Sequence, residues 1–183
     1  GENYFIKTAV YHYLFNDFIY NDLKDIADPY HGNAVYRYEQ KDARFSGFEF
    51  SWEQQINNTL STVLNFDAVR AELLEGDDKY IPRLPPETAS LQINWQQDNW
   101  LLSVENHWVA KQNRTARNET STPGFQTLDL KADYNARIFK QEVTTSLAIN
   151  NVFNSSGTNH VSYLKEYAPN PGRNIQLQTQ LYF

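Results

Sequence analysis

The last ten residues, NIQLQTQLYF, put Ile175, Leu177, Thr179, Leu181 and Phe183 on one set of alternate positions and Asn174, Gln176, Gln178, Gln180 and Tyr182 on the other. A period of two belongs to an extended strand, whose successive side chains point to opposite faces. The segment is therefore confined to β structure with one oily face and one wet face. The device recurs. Ala89, Leu91, Ile93 and Trp95 oppose Ser90, Gln92, Asn94 and Gln96, and Trp100, Leu102, Val104 and Trp108 oppose Ser103, Glu105 and His107. Leu128, Leu130, Ala132 and Tyr134 alternate with Thr127, Asp129, Lys131 and Asp133, and Val143, Thr145, Leu147 and Ile149 continue the pattern. Earlier, Phe48, Phe50 and Trp52 oppose Gly47, Glu49 and Ser51, and Leu60, Thr62, Leu64 and Phe66 oppose Ser61, Asn65 and Asp67.

Eight strands are predicted, near 3–19, 34–53, 58–71, 87–97, 99–110, 124–135, 141–152 and 173–183. Their connections alternate in length. QINN, QDN and ARIF read as tight turns, whereas 20–33, 72–86, 111–123 and 153–172 are long, so the long connections share one end. With 183 residues the chain is one unit rather than two ordinary domains. Its 12 Tyr, 11 Phe and 4 Trp favour strands. No signal peptide follows Gly1, and no apolar run approaches the length of a spanning helix, so a membrane role falls to strands. A closed barrel satisfies every backbone group and needs only alternating segments of roughly ten residues. A soluble sandwich or cup produces the same alternation with its apolar face inward, and strand length and loop asymmetry favour the membrane over it. A formal charge of −6 without clustered Lys or Arg argues against nucleic acid as a partner. The absence of Cys excludes disulfides, thiolate nucleophiles and zinc–thiolate sites.

Three stretches carry more than a pattern. EQKDARFSGFEFSW resembles the Q-x-x-A-x-x-x-G-x-E segment of TonB-dependent outer-membrane receptors, IPRLPPETASLQINW resembles the segment with which they begin a descending strand, and NNVFNSSGTNHVSYLKEYAPNPGRNIQLQTQLYF is similar to their closing hairpin. Together these cover Gln40 to Phe183, with a weaker fit of AVYHYLFNDFIY before them. The resemblance implies an all-β, transmembrane antiparallel β-barrel in which residues 1–183 form the C-terminal part of a 22-stranded barrel around a plugged lumen. It implies a bacterial, Gram-negative outer-membrane location. The plug, the remaining strands and the TonB-contacting segment would lie outside the chain. The implied partners are outer-membrane lipid, that plug, the TonB complex and the barrel-assembly machinery, for which terminal Phe183 is the recognition signal. The run TNHVSYLKEYAPNPGRN, with NRTARNETSTPGFQTLDL, is similar to the zinc-uptake branch of these receptors. Zinc is thus the expected transported ligand, ahead of a siderophore or haem, and no resident cofactor is expected.

Individual residues follow from that frame. His160, in the last long loop, is the leading metal-ligand candidate, since neutral imidazole binds zinc and Glu166 offers carboxylate oxygen nearby. His31, in DPYHGN near Asp25 and Asp28, is a second candidate, with a turn role weighed against it. Asp77 and Asp78 in EGDDKY, together with Asp28 and Glu166, are candidates for loop contact with a cationic substrate, because focused negative charge concentrates cations. A solvated loop tip is the plainer account. Glu105 and His107 are expected to share the lumenal face as a polar network, Glu49, Asp67, Asp129, Lys131 and Asp133 to contact the plug ahead of guiding substrate, and His12 to lie on the lipid face. Gly47 and Gly124 are expected to relieve crowding or to form bulges. No Gly-x-Ser-x-Gly elbow, phosphate-binding glycine loop or His-Glu-x-x-His is present, so no catalytic residue is assigned. A barrel hydrolase and a soluble β-sandwich binding protein are the alternatives from other classes.

Overall fold

The computed structural model describes residues 3–27, 29–32 and 34–182; Asp28 and Phe183 fall outside the described residues. Eight strands follow one another: β1 (Tyr4–Ala27), β2 (Ala34–Gln55), β3 (Leu60–Leu73), β4 (Thr88–Gln97), β5 (Trp100–Val109), β6 (Phe125–Ile138), β7 (Gln141–Asn150) and β8 (Asn174–Tyr182). They form one antiparallel sheet in sequence order, β1 to β8, each strand bonded to its neighbour. Among the described residues β1 and β8 do not pair, so the sheet is an open wall rather than a closed barrel. Connections 56–59, 98–99 and 139–140 lie at one end, and 28–33, 74–87, 110–124 and 151–173 lie at the other. The expected asymmetry of turns and loops is present.

The register decides what the alternation does. Leu60, Trp95, Leu102, Ala132, Leu147 and Leu177 fall in one lateral row, and Thr62, Ile93, Val104, Leu130, Ile149 and Ile175 in the next. On the opposite face Ser61, Asn94, Ser103, Lys131, Ala148 and Gln176 form a polar row. A hollow of 530 Å³ is lined by this polar face, including Ser61, Gln92, Asn94, Ser103, Glu105 and Lys131. In a sandwich the apolar rows would be covered by a second layer. Instead Ile93 is 43% exposed, Leu177 74% and Leu181 48%. A contiguous oily face of this size requires an apolar medium or a partner.

Two features depart from the sequence reading. The first strand runs to Ala27 rather than ending near residue 19, so 20–33 is mostly hairpin rather than loop. A register shift between Phe15 and Phe18, with Asp17 at φ 55° and its N–H donating to Asp42 Oδ1 at 3.0 Å, interrupts the alternation there. Strand β6 likewise runs on to Ile138, and the turn expected at ARIF (136–139) falls instead at Phe139 and Lys140. The second departure is a small core on the polar side of the wall, at the loop end. Tyr20, Ala43, Ala71 and Leu73 pack there with Ile81 and Leu84, which the 74–87 connection folds inward over them. Phe18 and Phe45 join this core, and Phe15 stands 5.3 Å from Phe45.

The bulge is not at either glycine. At Gly47 the Tyr11 ring lies across the backbone, where an added Cβ would fall 2.1 Å from Tyr11 Cζ. At Gly124 an added Cβ would meet Val109 O at 2.8 Å and Lys111 N at 2.9 Å. A ring tip can swing aside, but a ladder backbone cannot. Gly124→Ala is therefore expected to cost about 1–3 kcal/mol and Gly47→Ala distinctly less. Urea unfolding in detergent micelles would measure both, and equal losses would contradict the close approach at Gly124.

Candidate loop-end binding site

The wall anchors the loops before the loops build anything. At the start of 151–173, Asn151 N–H donates to Asp129 Oδ1 at 2.7 Å, and its side chain both donates to Ser155 O and accepts from Ser155 N–H. Arg173 N–H donates to Asn154 Oδ1 at 2.9 Å and Asn170 N–H to Gly157 O at 2.8 Å, which close the neck of the loop. In 110–124, Gln112 and Thr122 exchange backbone hydrogen bonds at 3.0 Å, and Gln112 Nε2 donates to Leu84 O at 2.9 Å. The middle connections are thereby tied to each other and to the inner core.

Glu119 is the point where three connections meet. Its Oε1 accepts from Arg83 N–H at 2.9 Å and from Lys165 Nζ at 3.0 Å, and its Oε2 accepts from Ala116 N–H at 3.1 Å. His160 Nε2 stands 3.3 Å from Oε1, an ion-pair distance without hydrogen-bond alignment, while Nδ1 meets Thr122 Oγ1 at 3.0 Å. Lys165 also donates to Thr120 O at 2.8 Å. His160 is fully buried, and Glu119 and Lys165 are nearly so. Burial pushes the Glu119 carboxyl up, but His160, Lys165 and the Arg83 N–H outweigh it and hold the group down at about 2. The cluster is a charged knot joining 74–87, 110–124 and 151–173.

Beside the knot opens a cavity of 650 Å³, bounded by Tyr36, Arg83, Arg117, Tyr163, Glu166 and Tyr167 among others. The Arg83 guanidinium lies 4.0 Å from the Tyr163 ring centroid and 5.7 Å from that of Tyr36, and the two rings meet edge to face. Asn21 Nδ2 donates to Tyr163 OH at 3.1 Å, and Arg83 donates to Asn21 O at 3.3 Å. The upper part of the β1–β2 hairpin, at Asn21 and Tyr36, is thus drawn to the last loop. Such a cavity, aromatic with fixed cations, is within the size range of small-molecule sites.

The residues singled out in the sequence divide between these places. His160 is inside the knot, and the carboxylate beside it is Glu119 rather than Glu166. Glu166 borders the cavity and bonds Thr120. Asp78 pairs with Arg117 at 3.2 Å beside a smaller cavity with Asp22, Lys24 and Glu39, and Asp77 is exposed at the loop tip. His31 sits in the turn at the hairpin tip. Among the described residues no group of three or more His, Asp or Glu is placed to hold a metal ion. Glu119, Lys165, Arg83, Tyr36 and Tyr163 were not singled out. Glu119 lies in the run NETS, Tyr163 and Lys165 in SYLKEY, Arg83 in IPRLPP and Tyr36 in β2, and nothing in their spacing joins 119 to 160.

The sequence model of a family described as "TonB dependent receptor-like, beta-barrel" matches residues 1–152. No curated protein sequence matches. Among solved structures, "Copper transporter OprC" superposes with a TM-score of 0.84 at 21% identity, over 98% of this chain and 29% of that one. BauA, the ferric preacinetobactin receptor from Acinetobacter baumannii, gives 0.72 at 21% identity over 97% and 27%, respectively. P. aeruginosa FpvA bound to heterologous pyoverdines gives 0.67 at 16% identity over 97% and 24%. The chain therefore spans less than a third of the length of these structures, whose likeness is one of fold.

Proposed function

The chain belongs to the TonB-dependent receptor β-barrel family, a family of receptors and transporters rather than enzymes, and on that premise we propose that it forms the C-terminal wall and outer loops of a bacterial outer-membrane receptor importing a scarce metal nutrient. The observation that carries this reading is the sorting of faces: oily rows outward, polar rows around a hollow, and four connections gathered at one end. The unpaired edges of β1 and β8 suit a larger closed barrel, whose other strands and plug complete the lumen. The TonB complex supplies energy through that plug, and Phe183 serves as the assembly signal. Metal-ion uptake is supported by the HVSYL run and by the likeness to a copper transporter. Zinc is the proposed ion, with His160 and His31 as ligands and Asp28, Asp77, Asp78 and Glu166 drawing the cation inward.

A second reading has its own support. The Arg83, Arg117 and Lys165 cations beside Tyr36, Tyr163 and Tyr167 suit an anionic metal chelate with planar groups, such as a siderophore or haem, better than a bare cation. Calorimetric titration of the complete receptor with Zn²⁺, and separately with a ferric catecholate, distinguishes the two. Under the zinc reading His160→Ala and His31→Ala each weaken zinc binding at least tenfold, to the extent of one lost ligand, and Tyr163→Ala does not. Under the chelate reading only the catecholate binds, and Tyr163→Ala weakens it. Unchanged zinc affinity in both histidine variants would remove them as ligands.

A further inference from the structure

The outward face changes character abruptly at the loop end of β3 and β4. Going up that face, Leu60, Leu64, Phe66 and Ala68 are followed by Arg70 and Glu72, and in β4 Ala89 is preceded by Glu87. Phe48 lies in the same belt, 6.1 Å from the Phe66 ring and opposite Ala68. Directly above these rings Glu87 is shared by two guanidiniums. Arg70 bonds it, and Arg114 Nη2 lies 3.8 Å from the same oxygen. Arg114 Nε is buried without a hydrogen-bond partner. The neighbouring Arg44 is matched one to one by Glu72 at 2.7 Å, so the surplus cation belongs to the Arg70–Glu87–Arg114 group. The chain as a whole carries a net charge of −6, which makes a surplus of positive charge at this height a local feature.

A guanidinium pair holding one carboxylate is an incomplete anion site, because five N–H donors on each side chain exceed what one carboxylate accepts. Its position selects the second anion. It stands where an apolar, lipid-facing belt gives way to the headgroup region, with aromatic rings directly below. We propose that Arg70 and Arg114 bind a phosphate of an outer-leaflet glycolipid whose acyl chains lie against Phe48 and Phe66, with Glu87 as a built-in competitor for that phosphate. The inference rests on the reading of the oily face as lipid-facing.

The test uses the complete receptor reconstituted into phosphatidylcholine nanodiscs carrying either phosphorylated lipid A or its dephosphorylated form, with retained lipid counted by native mass spectrometry. Phosphorylated lipid should be retained about tenfold over the dephosphorylated form, and Arg70→Gln or Arg114→Gln should abolish that preference. Glu87→Gln should strengthen retention, because it removes the competing carboxylate. Arg137→Gln, next to the tight turn at the other end, should change nothing. Free inorganic phosphate should not displace the lipid, since the acyl contacts are part of the site. Equal retention of the two lipids, or a Glu87→Gln variant that retains less, overturns the proposal. A receptor that stays in solution without detergent or disc overturns the lipid-facing reading itself, a result distinct from an inserted receptor lacking phosphate preference.

Discussion

Alanine at position 119 is expected to release three loops at once. Glu119 ties 74–87 through Arg83, holds its own loop through Ala116, and faces Lys165 and His160 of 151–173. Its removal strands Lys165 as a nearly buried ammonium with only Thr120 O as partner. Losing one member of a buried pair costs about 3–5 kcal/mol, mostly through the charge left behind. The carboxyl's titration agrees: a group held at about 2 rather than 4.5 contributes about 3 kcal/mol. Because the folded value is depressed, that contribution is complete above about pH 4.5 and is lost as pH falls toward 2. Hydrogen exchange should therefore show faster exchange at Arg83, Ala116 and Thr122 in Glu119→Ala at neutral pH. Wild-type loops should stay protected at pH 4. Glu119→Gln keeps the acceptor for Arg83 N–H but loses the charge, and should fall between. Protection that is unchanged in Glu119→Ala would mean the loops are held by the inner core alone.

An arginine on the oily face should prevent assembly where one on the polar face does not. Ile93 and Leu177 lie in the apolar rows, one residue from Asn94 and Gln176 in the polar row. A charged side chain facing lipid near mid-membrane costs about 2–4 kcal/mol in barrel walls, against little in a watery lumen. Ile93→Arg combined with Leu177→Arg should then cost about 4–8 kcal/mol, enough to exceed the margin of many folded proteins. Heat-modifiable mobility in gel electrophoresis reports folded barrel directly. Asn94→Arg with Gln176→Arg should preserve the folded band, and the outward pair should lose it.

The wall was readable in the sequence because its two faces meet different media. Along Thr88–Gln97 and Trp100–Val109 every second side chain is oily apart from Gln97 and Asn106, and the expected bounds 87–97 and 99–110 fall within a residue of the strands. Strand β1 was readable only in its lower half. Tyr11, Tyr13 and Phe15 stack along the inner face while Val10 and Leu14 point outward, so aromatic and aliphatic residues occupy both phases. The bulge at Asp17 then shifts the phase by one and conceals the remaining strand. The knot was not readable, for a different reason. Glu119, His160 and Lys165 are neighbours only because three anchored loops converge, and loop convergence has no period. The HVSYL run drew attention to His160, but its buried carboxylate partner comes from another loop with nothing in the sequence to connect them.

Which face meets hydrocarbon is directly measurable, because these 183 residues contain no cysteine and any cysteine elsewhere in the receptor can first be replaced by serine. Single cysteines placed at Ile93, Leu177, Asn94 and Gln176 of the complete receptor, in intact outer membrane, can be labelled with a charged aqueous maleimide and, separately, with a lipid-soluble one. The account predicts that Cys at 93 and 177 reacts only with the lipid-soluble reagent, while Cys at 94 and 176 is spared by it. Aqueous labelling at 93 and 177, with lipid-phase labelling at 94 and 176, would contradict it.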